Sequence, residues 1–545
     1  MAVGGNEPTR KRKSMRNMTW KTKRTRTNIR EDRLSSLPDD ILIEILSYLP
    51  LRLAMATGSL SWRWRYLWTN VTSIHIESNK LDYSRDIDST FNNIITRITS
   101  PLIHSFSVEL GDIRHMPRYV EYPKGDLNYS WLRQICDQNV RQLKITNTRN
   151  NISEVDVTRI HGYVKRGLPR NLYHDYLIQI RLTLPSYIFV TQSLVSIELD
   201  TKLKLQLPDD EDRINLPNLK KLHLCSTSIN VESLEKLIKA CPSLEELGFV
   251  HTYCVGPYGP VLRICRNGLT RLCYINFSHQ NLQRLFIKNL PNKYRVVVNA
   301  PKLEYLAIRA SKSAGFRFEE EPMMLCEAKI DLNVYKYYNI YNCVLTEDEI
   351  KSMTKFYGVF RKVTILTPDV FVLKNSWPSN MFCNATQLTL SITASCNINI
   401  LLAMLELCPV LDALTLQIGD TDGMERAAEV PGHVSTLQRV LKTIKMEINC
   451  NTDDKTTKAV VELVEYLLSN SVDLKQFHVT VDSSSHRMES TEDAQIREMK
   501  LSKLLYQCPV LSEGCEVKFV GRFFKMSRKA GHKFLIANGK DSPIN

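Results

Sequence analysis

Several features that define other protein classes are missing from this sequence of 545 residues. No stretch approaches the run of about 18 apolar residues that a membrane-spanning helix requires. Residues 1–13 lack the apolar core of a secretory signal peptide. The composition, 43% hydrophobic and 24% charged, is that of a globular protein rather than a disordered or fibrous one. We therefore expect a soluble intracellular protein without a membrane partner.

Catalytic motifs are also missing. The sequence contains no G-x-x-x-x-G-K-[ST], no G-x-G-x-x-G after a strand, no H-E-x-x-H and no G-x-S-x-G. The twelve histidines occur singly, and His223, on a predicted strand, is expected to be a surface or a satisfied core residue. The acidic run at 209–212 lacks the spacing of a calcium-binding loop. We predict no catalytic residue, no metal site and no cofactor.

The fourteen cysteines do not have the spacing of a disulfide or zinc framework. They are scattered from Cys136 to Cys515 and include no C-x-x-C pair, so reduced thiols are expected. Three of them precede a proline, which predicts a repeated structural position at the end of a helix rather than a reactive site. These are Cys241, Cys408 and Cys508.

Positive charge is concentrated at the N-terminus. Residues 1–30 hold ten Lys or Arg and a single acid, Glu7, so nine of the fourteen net positive charges lie there. Such a segment cannot bury enough apolar surface to fold. It is either a solubilising tail or a nuclear import signal, and nucleic-acid binding is the least favoured because no aromatic residues interleave the basic ones. The import candidates are Arg10, Lys11, Arg12, Lys13, Lys21, Lys23 and Arg24.

A short amphipathic helix is predicted after the tail. Ser36 can cap it, and Pro38 suits its first turn. Asp39 and Asp40 favour the positive end of the helix dipole, and Pro50 ends the run. A helix of about a dozen residues is marginal alone and must pack on something. Its apolar residues recur with helical spacing: Leu37, Ile41, Leu42, Ile45, Leu46 and Leu49.

Tryptophan is concentrated just downstream. Three of the six tryptophans, Trp62, Trp64 and Trp68, fall within seven residues. Leu60, Trp64, Leu67 and Trp68 are spaced i, i+4, i+7 and i+8. Large aromatic residues so close together serve either a small core or an exposed anchor for a partner, and the core is the commoner use.

These two segments together resemble the F-box of plant F-box proteins. The resemblance rests on five phrases: Leu37-Pro38-Asp39-Asp40, residues 45–50, Leu60-Ser61, Arg63-Trp64-Arg65 and Leu67-Trp68. It implies a three-helix module whose apolar face docks on a Skp-family adaptor and, through it, on a cullin. Trp62, Leu53 and Gly58 stand where the family more often has Lys, Asp and Ser. The residues that the resemblance assigns to the docking face or its support are Leu37, Pro38, Ile41, Leu42, Ile45, Leu46, Leu49, Trp64 and Trp68.

An L-x-x-L-x-L phrase recurs along most of the remaining chain. Clear spacings between successive first positions are 25, 25, 21, 22 and 26, within the 20 to 29 of leucine-rich repeats. Each phrase predicts a short strand, and the segment between two phrases predicts a helix, most clearly at 231–240. The first positions are Val140, Leu194, Leu219, Leu244, Leu282, Leu303, Leu325, Phe360, Ala385, Leu411, Leu441 and Leu474.

The repeats resemble the leucine-rich repeats that follow the F-box in plant proteins, and residues 441–519 resemble the FBD domain found after such repeats. The predicted fold is therefore α/β: a short helical F-box module, an irregular leucine-rich-repeat solenoid with a strand and a helix per repeat, and an FBD-like C-terminal region. The predicted divisions are a basic tail at 1–30, an F-box at 31–80, a weakly patterned linker or first repeat region at 81–137, repeats at 138–430, an FBD-like domain at 431–520 and a basic C-terminal tail at 521–545.

By this resemblance we expect a non-catalytic receptor of an SCF-type ubiquitin ligase, with the F-box on a Skp-family adaptor, a cullin beyond it, and an unknown target protein on the repeats. The alternative is a repeat-based interaction scaffold outside any ligase, in which the helices before residue 75 cap the solenoid. We expect location in the nucleus or cytoplasm, with the basic tail favouring the nucleus.

Overall fold

A computed structural model describes the following parts of the chain: residues 33–34, 36–77, 87–110, 130–147, 183–200, 204–205, 207–208, 213–225, 231–250, 273–290, 294–310, 315–332, 347–368, 381–392, 398–418, 437, 440–448, 454–481, 491–529 and 535–538.

Helices in these parts are α1 Asp39–Ser47, α2 Leu51–Ala56, α3 Ile87–Ile95, α4 Ser130–Asp137, α5 Val231–Lys239, α6 Glu347–Gly358, α7 Ile398–Glu406, α8 Asp454–Asn470 and α9 Thr491–Gln507. Short 3-10 helices cover Thr57–Ser59, Trp64–Asn70, Ser186–Val190 and Val359–Lys362.

Strands are β1 Ser73–Glu77, β2 Ser105–Leu110, β3 Gln142–Asn147, β4 Thr183–Leu184, β5 Ser196–Asp200, β6 Lys204–Leu205, β7 Lys221–Cys225, β8 Glu246–Val250, β9 Cys273–Ser278, β10 Arg284–Leu290, β11 Tyr294–Asn299, β12 Tyr305–Ala310, β13 Gly315–Phe318, β14 Glu327–Asp331, β15 Ile365–Thr367, β16 Gln387–Ile392, β17 Ala413–Ile418, β18 Thr443–Ile448, β19 Gln476–Val481, β20 Glu516–Val520, β21 Phe524–Lys529 and β22 Leu535–Asn538.

One long sheet organises the molecule. Fifteen strands pair in parallel in the order β1, β2, β3, β5, β7, β8, β10, β12, β14, β15, β16, β17, β18, β19 and β20. Strands β21 and β22 then add in antiparallel fashion, which gives this sheet seventeen strands within the described residues. The strand order follows the chain order, as expected when each repeat contacts only its neighbours. The predicted α/β fold class is confirmed.

The repeated leucines explain this sheet. Leu219 lies two residues before β7 and is buried, while Leu222 and Leu224 of β7 point into the core. Lys221 and His223 alternate with them on the solvent face of the strand, as the two-residue period of a strand requires. Burial of one such leucine stabilises the fold by about 1.5 to 3 kcal/mol. All twelve predicted first positions are buried.

The Cys-Pro phrases end helices, as predicted. Helices α5, α7 and α9 all stop within two residues of Cys241, Cys408 and Cys508, respectively, and each of these thiols is buried. Two of the thiols donate hydrogen bonds to carbonyl oxygens one helical turn earlier, Cys241 Sγ to Leu237 O at 3.1 Å and Cys508 Sγ to Leu504 O at 3.5 Å. A small side chain fits this corner and satisfies part of the last turn of the helix.

Three consecutive repeats differ from the predicted strand-and-helix unit. Opposite the long sheet, β9, β11 and β13 form a second parallel sheet where helices were predicted. The repeats that begin at Leu282 and Leu303 span only 21 and 22 residues, and β11 carries the β-branched run Val296–Val298, which favours a strand over a helix. Helix α5 covers the β9 edge, where Glu235 Oε1 accepts a hydrogen bond from the backbone N–H of Asn276 at 2.9 Å.

One predicted repeat has a different register. The phrase that was placed at Phe360 would put Ile365 in the core of a strand, but Leu366 is the buried residue of β15 and Ile365 lies on the solvent face. Phe360 belongs instead to a 3-10 helix and packs against Phe356 and Tyr357, with ring centroids 5.0 and 5.8 Å away. The cluster lies where α6 continues into the 3-10 helix, so Phe360 is helical and β15 begins only at Ile365.

Two other ranges contain more regular structure than the sequence indicated. The described part of 81–137, predicted as linker or first repeat region, contains α3, β2 and α4. The range 521–545, predicted as a basic tail, contains β21 and β22, where alternating residues such as Phe524 and Met526 face the core. The division into domains stays a prediction, although β18, β19 and β20 of the FBD-like range continue the sheet of the repeats without a break.

Helix α9 and the C-terminal hairpin are connected by a buried carboxylate. Glu498, in the middle of α9, is almost completely buried. Its Oε2 accepts a hydrogen bond from the backbone N–H of Arg522 at 3.1 Å, and its Oε1 accepts those of Phe523 and Phe524 at 2.9 and 2.8 Å. The turn between β20 and β21 therefore has its N–H groups satisfied by a helix packed beside it.

Candidate functional site

The N-terminal helical module has a small core of its own. Helices α1 and α2 and the 3-10 helix Trp64–Asn70 pack around it, and Pro38 precedes the first turn of α1. Ser36 does not cap α1 as predicted, because its hydroxyl donates to the carbonyl of Arg33 at 2.7 Å. Asp39 and Asp40 occupy the first turn as predicted. The buried residues of the module are Leu42, Leu46, Leu51, Ala54, Trp64, Leu67 and Trp68.

Helix α1 carries two apolar stripes, and only one of them is covered. Leu42 and Leu46 are 0% and 1% exposed and face the tryptophans. Ile41 and Ile45, one residue earlier on the same helix, are 42% and 38% exposed. Tyr48 continues this second stripe at i+7 from Ile41 and is more exposed still. An apolar stripe left open on a short helix is the feature expected of a docking surface.

The nine residues assigned to the docking face or its support differ in their exposure. Leu42, Leu46, Trp64 and Trp68 are buried and support the module, and Leu37 and Leu49 are partly buried against the core. Pro38, Ile41 and Ile45 are exposed on the outer surface. The interpretation of the tryptophans as core residues is confirmed for Trp64 and Trp68.

Other exposed apolar residues of the module were not among the predicted ones: Tyr48, Leu53, Leu60 and Tyr66. Tyr48 could have been found from the sequence, since it shares the i, i+4, i+7 spacing of Ile41 and Ile45. The others needed the folded module, because leucine and tyrosine occur as readily in a core as on a docking surface.

Trp62 is the most exposed tryptophan of the module, with 81% of its surface accessible. The guanidinium carbon of Arg65 lies 4.8 Å from the centroid of the Trp62 ring and 5.7 Å from that of Tyr66. Such cation–π contacts at exposed sites are worth about 0.5 to 1 kcal/mol and hold the two rings in place. The resemblance places a lysine at this position, so the tryptophan adds apolar surface where the family has a charge.

The module is joined directly to the long sheet. Strand β1 follows its last 3-10 helix and pairs in parallel with β2, from Ser73 opposite Ser105 to Glu77 opposite Glu109. Ser47, the last residue of α1, accepts a hydrogen bond through its Oγ from the backbone N–H of Thr72 at 3.1 Å. The open stripe of α1 is therefore fixed relative to the repeats by backbone pairing.

The described ranges hold no cluster of metal ligands. They contain no group of three or more His, Cys, Asp or Glu side chains that could hold a metal ion, and no helix among them is long and apolar enough to cross a membrane. Burial raises the pKa of the Cys241 and Cys408 thiols to about 12, the opposite of what a nucleophile needs. The predicted import residues between Arg10 and Arg24 and the acidic run at 209–212 lie outside the described residues.

Known proteins match this architecture over most of the chain. Residues 34–75 match the F-box domain family, and residues 171–321 match the family described as FBD-associated F-box protein At5g56370, LRR repeats. The F-box/FBD/LRR-repeat protein At5g22660 of Arabidopsis thaliana is 26% identical over 478 residues, which cover 84% of this chain and 92% of that protein. The F-box/LRR-repeat protein 13 of the same plant is 25% identical over 474 residues, with coverage of 84% and 92%.

The matches and the fold agree on the class of protein. An F-box module followed directly by a leucine-rich-repeat sheet defines an F-box/leucine-rich-repeat protein. The chain is similar to the plant F-box/LRR proteins with an FBD region. Members of this class are typically non-catalytic.

Proposed function

We propose that the protein is the substrate-recognition subunit of an SCF-type ubiquitin ligase. The observation that carries the proposal is the open apolar stripe that Ile41 and Ile45 form on α1 and that Tyr48 continues directly after the helix, while the other apolar stripe of α1 is buried. A Skp-family adaptor would cover this stripe and link the chain to a cullin. The long sheet would hold the target protein.

In this role the chain accelerates ubiquitin transfer by position alone. A bound target lysine is held near a ubiquitin-loaded partner enzyme, which supplies the reactive thioester, so the effective concentration of the lysine rises. No side chain of this protein needs to make or break a bond. Pairing of β1 with β2 supports such a role, because it fixes the adaptor-binding module relative to the surface that would carry the target.

The test is co-purification of the full chain with a Skp-family adaptor, followed by titration. We expect stoichiometric binding with a dissociation constant of about 1 μM or less. Ile45→Glu places a charge on the open stripe and should weaken binding by about a hundredfold or more while leaving the folded state intact. Asn93→Glu, which adds the same charge on an exposed position of α3 outside the module, is the control.

Two outcomes would reject the proposal. One is the absence of adaptor binding by a folded wild-type chain, which would favour a repeat scaffold outside any ligase. The other is equal binding by wild type and Ile45→Glu, which would place any adaptor contact elsewhere. Thermal unfolding of each variant separates loss of binding from loss of fold.

We also propose that the basic residues between Arg10 and Arg24 act as a nuclear import signal. The concentration of nine net positive charges in residues 1–30 supports it. The test is the distribution of a fluorescent fusion in plant cells, with and without residues 1–30. A nuclear signal that is unchanged by the deletion would reject the proposal.

A further inference from the structure

The solvent face of the long sheet changes charge along its length. On β1, β2, β3 and β5 this face carries four acids and one lysine: Glu77, Glu109, Lys144, Glu198 and Asp200. On β7, β8, β10, β12 and β14 it carries five cations and three acids: Lys221, Glu246, Arg284, Lys288, Arg309, Glu327, Lys329 and Asp331. Strands β15, β16 and β17 present no charge there. Among these described strands, the part of the solvent face with a net positive charge therefore lies on β7, β8, β10, β12 and β14.

Aromatic rings lie at the centre of this cationic part. The ring centroids of Phe286 on β10 and Tyr305 on β12 are 4.9 Å apart. The imidazole of His223 on β7 meets Phe286 edge to face at 5.6 Å. Aromatic rings in this geometry attract one another beyond the effect of their buried area, so the rings hold one another in a fixed arrangement.

Both strands beside Phe286 have small residues at its level. In the sheet register Phe286 lies between Gly248 of β8 and Ala307 of β12. The His223 ring leans over Gly248 so closely that a Cβ atom at Gly248 would lie 2.7 Å from His223 Cδ2. Phe286 itself remains partly exposed. On the Ala307 side only a methyl group flanks the Phe286 ring, which leaves apolar surface there for an apolar side chain of a partner.

Positively charged side chains lie close to these aromatic rings. The guanidinium carbon of Arg284 lies 4.3 Å from the centroid of Tyr305 and 5.5 Å from that of Phe286. Lys329 Nζ lies 5.4 Å from the Tyr305 centroid and 2.9 Å from Glu327. Lys288 lies directly beside Arg309 in the register of β10 and β12. With five cations against three acids, this part of the face keeps an excess of two positive charges at neutral pH.

We propose that His223, Arg284, Phe286, Lys288, Tyr305 and Lys329, here named the aromatic-cationic patch, bind an extended acidic segment of the target protein. An apolar side chain of the segment packs beside Phe286 over Ala307, and its carboxylates lie near Lys288 and Arg284. The inference rests on the proposed function and names the target chemistry for it. The acidic strands β1 to β5 would repel the same segment and so direct it to this part of the sheet.

A protein segment fits the patch better than a nucleic acid does. Three acids, Glu246, Glu327 and Asp331, lie among the cations, and Glu246 alone is within 3.4 Å of both Lys221 and Arg284. The phosphate groups of a nucleic-acid strand that crosses the patch would be repelled by these carboxylates. A peptide can place its few carboxylates next to Lys288 and Arg284 and leave neutral backbone against the acids.

The test uses the full chain and three fluorescein-labelled octapeptides in fluorescence anisotropy. The first peptide has one phenylalanine flanked on each side by two glutamates, the second has lysines in place of the glutamates, and the third has serine in place of the phenylalanine. We expect the first peptide to bind with a dissociation constant of about 10 to 100 μM, and the other two to bind at least about tenfold more weakly. Added salt should weaken the first complex.

Variants locate the site on the patch. Lys288→Glu and Phe286→Ala should each weaken binding of the first peptide by about five- to tenfold. Gln387→Glu, an exposed position on the uncharged part of the same face, should change it by less than about twofold. Gly248→Ala moves the His223 ring without removing a charge and should also weaken binding, which distinguishes a shaped site from general attraction to positive charge.

Several results of these titrations would reject the proposed patch. Equal binding of the acidic and basic peptides, an effect of Gln387→Glu equal to that of Lys288→Glu, or no binding of the first peptide would reject the patch. Tighter binding of labelled oligothymidylate than of the acidic peptide, lost in Lys288→Glu, would also reject it in favour of nucleic acid. Because these titrations need no adaptor, a failed adaptor interaction together with peptide binding would reject the ligase role and keep the patch.

Discussion

Arg63 holds the start of the first helix of the F-box through Asp39, with Nη2 2.7 Å and Nε 2.8 Å from the same oxygen, Oδ1. The same guanidinium donates to the carbonyl oxygen of Leu37. These contacts connect α1 to the segment of Trp64 and Trp68, twenty-four residues later. An arginine directly before Trp64 therefore connects the start of α1 to the segment that covers the buried stripe of the helix.

Arg63→Ala should lower the free energy of unfolding by only about 0.5 to 1 kcal/mol, because both side chains are partly exposed and the pair is screened by solvent. Adaptor affinity should fall more, since the start of α1 is no longer held against the tryptophan segment. Urea unfolding and adaptor titration measure the two effects. The double variant should lose less than the sum of Arg63→Ala and Asp39→Ala, with the interaction of Asp39 with the helix dipole as the part that still adds, and full additivity would show that the two residues act independently.

The buried carboxylate of Glu498 predicts a local effect at the C-terminal end of the sheet. Glu498→Ala removes the acceptor of three backbone N–H groups and should destabilise the β20–β21 turn by about 2 to 4 kcal/mol. Hydrogen exchange at Arg522, Phe523 and Phe524 should become faster. Glu492→Ala, at an exposed position of the same helix, is the matched control, and equal exchange in the two variants would contradict the assignment.

Gly521 offers an independent test of the same contact. A Cβ atom at this position would overlap Glu498 Oε1, so Gly521→Ala must displace the carboxylate. The variant should reproduce the faster exchange of Glu498→Ala, and combining both changes should add little. Wild-type exchange rates in Gly521→Ala would mean that the turn does not depend on the carboxylate.

Thiol reactivity should divide the cysteines by their place in the repeats. Burial raises the pKa of the Cys241 and Cys408 thiols to about 12, so almost no thiolate exists at a pH of about 8. Cys326 is exposed. Brief iodoacetamide treatment of the folded protein, followed by peptide mass spectrometry, should label Cys326 well before the two Cys-Pro thiols, and urea should remove the difference. Equal labelling in the folded state would contradict the buried corner.

His279 makes stability depend on pH. Its Nδ1 accepts the backbone N–H of Asn281 at 3.2 Å and its Nε2 is 2.9 Å from the carbonyl of Cys241, which fits a neutral ring with its proton on Nε2. Burial lowers the pKa of His279, and the hydrogen bond to Cys241 opposes this only in part. The contribution is therefore complete above the ordinary imidazole pKa of about 6.5 and is lost as the pH falls below it.

The measurement is urea unfolding of wild type and His279→Asn between pH 7.5 and pH 5. This range extends from about one unit above the ordinary imidazole pKa to more than one unit below it. The variant should be less stable than wild type at the upper end, and the difference should shrink toward the lower end. His223 and His478 also have a lowered pKa, mainly through burial, so both proteins should keep some dependence on pH. A constant difference across the range would contradict a neutral His279.

Much of the repeat architecture was predictable because its signal is local. Leu222 and Leu224, two residues apart, show the alternation of buried and exposed side chains that is typical of a strand. The same phrase, with its first position at Leu219, recurs so often along the chain that one irregular copy does not hide the pattern. The Cys-Pro phrase was readable for the same reason, since proline ends a helix wherever it follows one. The strands β9, β11 and β13 were missed although the run Val296–Val298 favours a strand, because a helix was expected in every repeat.

The open stripe of α1 could not be separated from the buried one by sequence. Ile41 and Leu42 are both apolar neighbours on one helix, and the side that Trp64 and Trp68 cover is decided by the path of the chain some twenty residues later. The aromatic-cationic patch was hidden for a related reason. Arg284, Phe286 and Tyr305 meet because two strands pair in a particular register, which no single repeat specifies.

In the proposed ligase role, the pairing of β1 with β2 lets the sheet set the distance between the adaptor-binding module and the bound target. Six strand pairings separate β1 from β10, which at about 4.8 Å per step amounts to about 29 Å along the sheet. Adding one repeat between β5 and β7 would carry a segment held at Phe286 about 5 Å farther from the F-box. Repeat number would then select which lysines of a bound protein come within reach of transfer, with no change in the residues that recognise it.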